Sequence, residues 1–152
     1  MQYADQTEYN GEWKNDARDG KGVFEWPNNA GRYEGDFRDD QMHGEGNLVW
    51  QSGADYSGSW RYNKKMGKGS MKYRDNSKYE GDWKDDARNG EGIMTWPQGT
   101  RYEGDFVDDI KHGHGVYIWP NGAKYDGQWQ QGKRSGHGKC VYPDGGEYEG
   151  EF

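Results

Sequence analysis

The side chains best suited to hold a metal ion are His112 and His114, which flank a glycine, and His137, with Cys140 three residues later. Imidazole and thiolate are ordinary zinc ligands, set about 2.0–2.3 Å from the ion. His114 and His137 are 23 residues apart. On strands two places apart in one sheet they would approach to roughly 10 Å, too far for one ion unless the sheet bends. Solvent-facing imidazoles are therefore expected, with zinc at His114, His137 and Cys140 as the alternative. GKGS at Gly67–Ser70 has the look of a phosphate loop, but Gly-x-x-x-x-Gly-Lys-Ser/Thr is not met. Every acid, base and histidine recurs on a lattice instead of forming a single constellation, so neither an enzyme nor a cofactor is expected.

That lattice is a repeat. RYEGDF at Arg32–Phe37 returns at Arg101–Phe106, 69 residues on, or three steps of 23. The signature Tyr-x-Gly-x-Trp/Phe starts at Tyr9, Tyr33, Tyr56, Tyr79, Tyr102, Tyr125 and Tyr148. Only the first interval is longer, by one residue, and we place that residue in the loop Pro27–Gly31, where insertions cost little. The chain is thus one continuous array over residues 1–152, with partial repeats at 1–8 and 148–152. Counting each signature Tyr as the first position, glycines fall at the third, twelfth and fourteenth. All eight Trp fall at the fifth or eighteenth.

Which elements such a lattice builds follows from its periods. The stretch YEGDW alternates aromatic or glycine with acid, the two-residue period of a strand, and a second strand follows in GEGIMTW and GHGVYIW. Polar segments such as KDDARN separate the two strands, and all four prolines sit in the turn leading to the next unit. Pairing the fifth position with the twelfth inside a hairpin, and the eighteenth with the next Tyr, puts all the rings on one face. Each Trp or Phe at the fifth position then lies over glycine backbone, a close approach that would justify glycine in a strand. The fold class is all-β: a single-layer antiparallel meander of β-hairpins, about thirteen strands and on the order of 60 Å long, twisted into a trough.

Composition agrees. Mean hydropathy is -1.47 and the net charge is -7, yet 16% of the residues are aromatic. Disordered chains are poor in rings, so this one folds around them. With one cysteine there is no internal disulfide. Apolar runs fall short of the ~18 residues of a membrane span, no signal peptide is visible, and a cytoplasmic protein is expected. Acidity disfavours a nucleic-acid partner.

Units such as YEGDWKDDARNGEGIMTWPQGTR closely resemble the MORN (membrane occupation and recognition nexus) repeat, with its Tyr-Glu-Gly-x-Trp, Gly-x-Gly and Trp-Pro-x-Gly succession. The third unit departs most, with YSGSW and with Tyr73-Arg74 in place of Trp-Pro, which bears on its turn geometry. The resemblance implies a β-solenoid and an organising scaffold at cytoskeletal, ciliary or membrane-associated assemblies. It also leaves open a phospholipid-surface module or a regulatory segment of a larger enzyme.

Two surfaces are candidates for contact. Glu12, Glu34, Asp36, Glu80, Asp82, Glu103, Asp105, Asp126, Glu149 and Glu151 form a negative stripe opposite the rings, serving solubility or a basic partner. A single layer cannot cover all its rings, so an aromatic groove is expected to accept a partner peptide or helix. Its members would be Tyr33, Phe37, Leu48, Tyr56, Trp60, Met71, Tyr79, Trp83, Met94, Tyr102, Phe106 and Tyr117. With no polar cap at either end, a longer array or an edge-to-edge homodimer is expected.

Overall fold

The structure is a computed structural model that describes residues 1–152. Its strands are β1 (Glu8–Lys14), β2 (Ala17–Glu25), β3 (Gly31–Arg38), β4 (Gln41–Trp50), β5 (Asp55–Arg61), β6 (Lys64–Lys72), β7 (Lys78–Lys84), β8 (Ala87–Thr95), β9 (Arg101–Val107), β10 (Ile110–Ile118), β11 (Lys124–Gln130), β12 (Lys133–Val141) and β13 (Glu147–Glu151). They lie in chain order in one antiparallel sheet, each hydrogen-bonded only to its sequence neighbours. No helix is long and apolar enough to cross a membrane.

Two kinds of turn alternate. Inside each repeat the turn has only two residues, both at positive φ, as at Asp85 (47°) and Asp86 (68°). This is the type I′ geometry, whose twist matches that of the flanking strands. Between repeats, the eighteenth residue opens a hydrogen-bonded turn: Trp96 N–H donates to Thr100 O at 2.9 Å, and Gly99 N–H to Trp96 O at 3.0 Å. The third repeat keeps that turn without Trp-Pro, because Asn76 takes φ 68° where the second, fourth, fifth and sixth repeats have glycine. Its N–H donates to Tyr73 O at 3.0 Å. The inserted residue does sit in Pro27–Gly31, in a short 3-10 turn over Pro27–Asn29.

The register differs from the sequence expectation in two ways. The fourteenth residue faces the third, as at Gly92 and Gly81, but the fifth faces the tenth, as at Trp83 and Arg88, and not the twelfth. A two-residue turn dictates this, and β8 then carries two more residues than β7 between the two pairs. That surplus forms a bulge in which Gly90 takes φ 93°, a conformation open to glycine. An even surplus preserves the alternation of side chains, so the rings stay on one face. Between repeats it is the sixteenth residue that faces the next Tyr, as Met94 faces Tyr102. The eighteenth is already committed to the turn.

Candidate peptide-binding trough

The ring lying over bare backbone is therefore the signature Tyr, not the indole. A Cβ added to Gly92 would stand 2.3 Å from the Tyr79 ring, and one added to Gly81 would stand 2.4 Å from the Glu91 carbonyl. Glycine is needed because the phenol lies flat on the two strands. The hydroxyl of Tyr79 then reaches the Asp82 carbonyl and donates to it at 2.8 Å. The same bond recurs at Tyr9, Tyr33, Tyr56, Tyr102, Tyr125 and Tyr148. Burial pushes the Tyr33, Tyr56, Tyr79 and Tyr102 phenols well above their ordinary pKa, since a phenolate there would lose its hydration.

Each signature Tyr from Tyr9 to Tyr125 is gripped edge-on by two rings. Tyr79 meets Trp83 of its own repeat with centroids 5.1 Å apart and Phe106 of the next at 5.3 Å, both nearly perpendicular. This zigzag continues from Trp13 to Phe152. Edge-to-face pairs contribute about 0.5–1.5 kcal/mol each beyond area burial. The indole N–H groups are also satisfied: Trp60, Trp83 and Trp129 donate to the carbonyls of Gly46, Gly69 and Gly115 at 3.0–3.1 Å.

Tyr33, Phe37, Leu48, Tyr56, Trp60, Met71, Tyr79, Trp83, Met94, Tyr102 and Phe106, all expected in a partner groove, are buried together in this one core cluster, while Tyr117 is half-buried. The surface above that core belongs to residues packed against it from outside: Trp26, Trp50, Tyr73, Trp96 and Trp119 at the eighteenth position, with Tyr117 and Met42. A ligand on this face would meet that row first.

The expectation also missed a row of cations. The tenth position carries Arg18, Lys65, Arg88, Lys111 and Arg134, with Met42 in the second repeat. Each cation lies over rings: Arg18 is 4.8 Å from the Phe24 centroid, Lys65 5.1 Å from Trp83, Arg88 5.2 Å from Phe106, Lys111 4.7 Å from Tyr117 and Arg134 5.4 Å from Phe152. The signal was present as a basic residue recurring every repeat. It was hidden because KDDARN reads as a loop, whereas its last three residues belong to β8 and its tenth-position member points at the rings.

On the opposite face the acidic stripe divides in two. Fourth-position carboxylates hold the bulge, accepting the N–H of the thirteenth residue: Asp82 from Glu91 at 3.1 Å, Asp36 from Glu45 at 2.9 Å and Asp105 from His114 at 3.0 Å. Asp36 also pairs with Lys21 at 2.5 Å. Burial alone would raise its pKa, but the Lys21 ammonium and the Glu45 N–H hold it below the usual carboxylate range. Second-position acids such as Glu34, Glu80, Glu103 and Glu149 are exposed.

His114 and His137 lie on this acidic face, with Nε2 2.9 Å from Asp126 and 3.4 Å from Glu149. Cys140 is buried on the ring face. His137 and Cys140 are three residues apart in a regular strand, so they point to opposite sides and cannot share an ion with His114. No three His, Cys, Asp or Glu side chains converge as metal ligands.

Comparison with known proteins places these observations. The family model described as the MORN repeat matches residues 9–30, 33–54, 56–78, 79–101, 102–124 and 125–147. No curated protein sequence matches the chain. Among solved structures, the fold is similar to the SAS-4 (dCPAP) TCP domain of Drosophila melanogaster in complex with a proline-rich motif of Ana2 (dSTIL). The TM-score is 0.53 at 15% identity, covering 86% of this chain and 71% of that one. It is likewise similar to the wild-type TCP10 domain of Danio rerio CPAP, with TM-score 0.54 at 16% identity, covering 98% of this chain and 69% of that one.

Proposed function

We propose that this chain, which belongs to the MORN repeat family, is a non-catalytic scaffold whose ring face binds an extended, proline-rich peptide at a cytoskeletal or membrane-associated assembly. The observation that carries the reading is the eighteenth-position row, Trp26, Trp50, Tyr73, Trp96 and Trp119, half-buried above a core that needs no further cover. Aromatic grooves of this kind take polyproline II helices, which lose little entropy on binding. The dimensions agree: one repeat spans two strand spacings, about 9.6 Å. One turn of polyproline II takes three residues and rises about 9.3 Å. A peptide laid along the trough therefore presents an equivalent side chain to every repeat. That a neighbour of the same fold was solved with a proline-rich motif supports the choice of ligand.

Calorimetric titration with a synthetic proline-rich peptide tests it. The double variant Trp96→Ala, Trp119→Ala is expected to keep most of the thermal stability and to lose binding. Trp83→Ala, by contrast, removes a core ring and costs about 3–5 kcal/mol of stability. A rim variant that binds as tightly as the parent overturns the reading.

A further inference from the structure

Between the fifth and sixth repeats the cation row changes character. In the first, third and fourth repeats the tenth-position cation is matched by an acid from the inner turn of the next repeat: Arg18 by Asp40 at 3.2 Å, Lys65 by Asp86 at 3.8 Å and Arg88 by Asp109 at 3.0 Å. The same side chains accept the backbone N–H of Arg18 (2.8 Å), Lys65 (2.9 Å) and Arg88 (2.9 Å), and Asn63 serves Met42 at 2.8 Å. For Lys111 the corresponding residue is Gly132. It holds its turn with N–H donated to Lys111 O at 2.9 Å, but brings no side-chain acceptor.

Lys111 consequently has rings around it and no counter-ion. Its Nζ lies 4.7 Å from the Tyr117 centroid and 4.8 Å from Trp129, within a recess of about 470 Å³ that Trp119, Lys133 and Arg134 also line. No Asp or Glu side chain lines this recess, which Phe152 also borders, whereas two other recesses on the ring face both contain Asp40. Burial pulls the Lys111 pKa down and Arg88 adds to the effect, so the ammonium is held at a cost that an incoming anion would relieve.

We propose that this recess anchors a carboxylate side chain of the partner peptide, with Lys111 Nζ and its backbone N–H as donors. The ligand takes the place that an aspartate of the chain itself fills in the other repeats. The proposal rests on the trough reading and specifies it: the peptide is acidic as well as proline-rich, and its register is set at the junction of repeats five and six.

The probe is a labelled peptide of repeating Pro-Pro-Glu, about five turns of polyproline II, compared with its Pro-Pro-Gln counterpart by fluorescence anisotropy. The parent protein is expected to favour the Glu peptide by about tenfold, as a charge-assisted hydrogen bond provides. Gly132→Asp restores the missing acid; the aspartates at this position in other repeats already adopt φ of 62–69°, so the turn accepts it. That variant is expected to melt no lower than the parent and to lose the preference, and Lys111→Met to lose it too. Equal affinity for both peptides, or a preference that survives Gly132→Asp, overturns the anchor and leaves the trough reading intact. Binding of neither peptide overturns both.

Discussion

A phenol that lies on glycine and donates its proton to a carbonyl three residues on is the smallest unit of this molecule. Tyr is required because Phe would fill the same space and leave the carbonyl of the fourth residue without its donor, a loss of about 1 kcal/mol. Burial of the phenol also ties stability to pH. In the unfolded chain these phenols ionise near their ordinary value of about 10, while burial in the native state moves Tyr33, Tyr56, Tyr79 and Tyr102 upward. Above about pH 10 the unfolded state therefore holds fewer protons than the native one, and stability declines with each further rise in pH. Below it the contribution is complete. Tyrosinate absorbance at alkaline pH is expected to rise together with the loss of sheet signal in circular dichroism. Ionisation of all tyrosines with the sheet still intact would contradict the burial assigned here.

At the scale of the hairpin, a two-residue turn and a bulge decide everything that spacing left open. The turn was hard to read because type I′ turns usually announce themselves as Asn-Gly or Asp-Gly. Here Asp39-Asp40, Asp85-Asp86 and Asp108-Asp109 adopt positive φ at both residues without a glycine. Once that is fixed, Arg88 must face Trp83, and the cation row that spacing suggested was loop becomes part of the ring face. Strand order, ring face and the insertion at Pro27–Gly31 were legible, because a two-residue alternation repeated six times has one consistent solution. The depth of each ring was not, because it depends on which partner stands opposite. The same geometry divides the acidic stripe. Asp82 holds the Glu91 N–H and is 2.6 Å from Lys68 Nζ, whereas Glu80 makes no such contact. Asp82→Ala is expected to lower the urea midpoint by an amount equivalent to about 1 kcal/mol, and Glu80→Ala to leave it nearly unchanged. Equal effects would mean that the stripe acts only through its summed charge.

The whole molecule is a sum of neighbours. Every strand is hydrogen-bonded only to the strands adjacent in sequence, and the ring contacts reach no further than the next repeat, so nothing closes the array on itself. Stability in such an array accumulates repeat by repeat through nearest-neighbour interfaces. This has a direct consequence for surgery on the chain. Deleting Tyr79–Arg101 removes one whole repeat and joins Lys78 to Tyr102, both at the repeat positions that normally meet. Phe106 then lies beside Tyr56 where Trp83 was, and Asp109 replaces Asp86 as the partner of Lys65. Each missing contact is thus supplied by an equivalent residue. The shortened chain is expected to fold into the same sheet, with a lower urea midpoint and a maximum dimension in solution scattering reduced by about 9.6 Å, two strand spacings. The Lys111–Gly132 junction lies outside the deletion, so the preference for the Pro-Pro-Glu peptide over its Pro-Pro-Gln counterpart should survive while the total binding length contracts by one polyproline turn. A deletion variant that collapses to a compact globule, or fails to fold at all, would show that long-range order beyond adjacent repeats holds the molecule together.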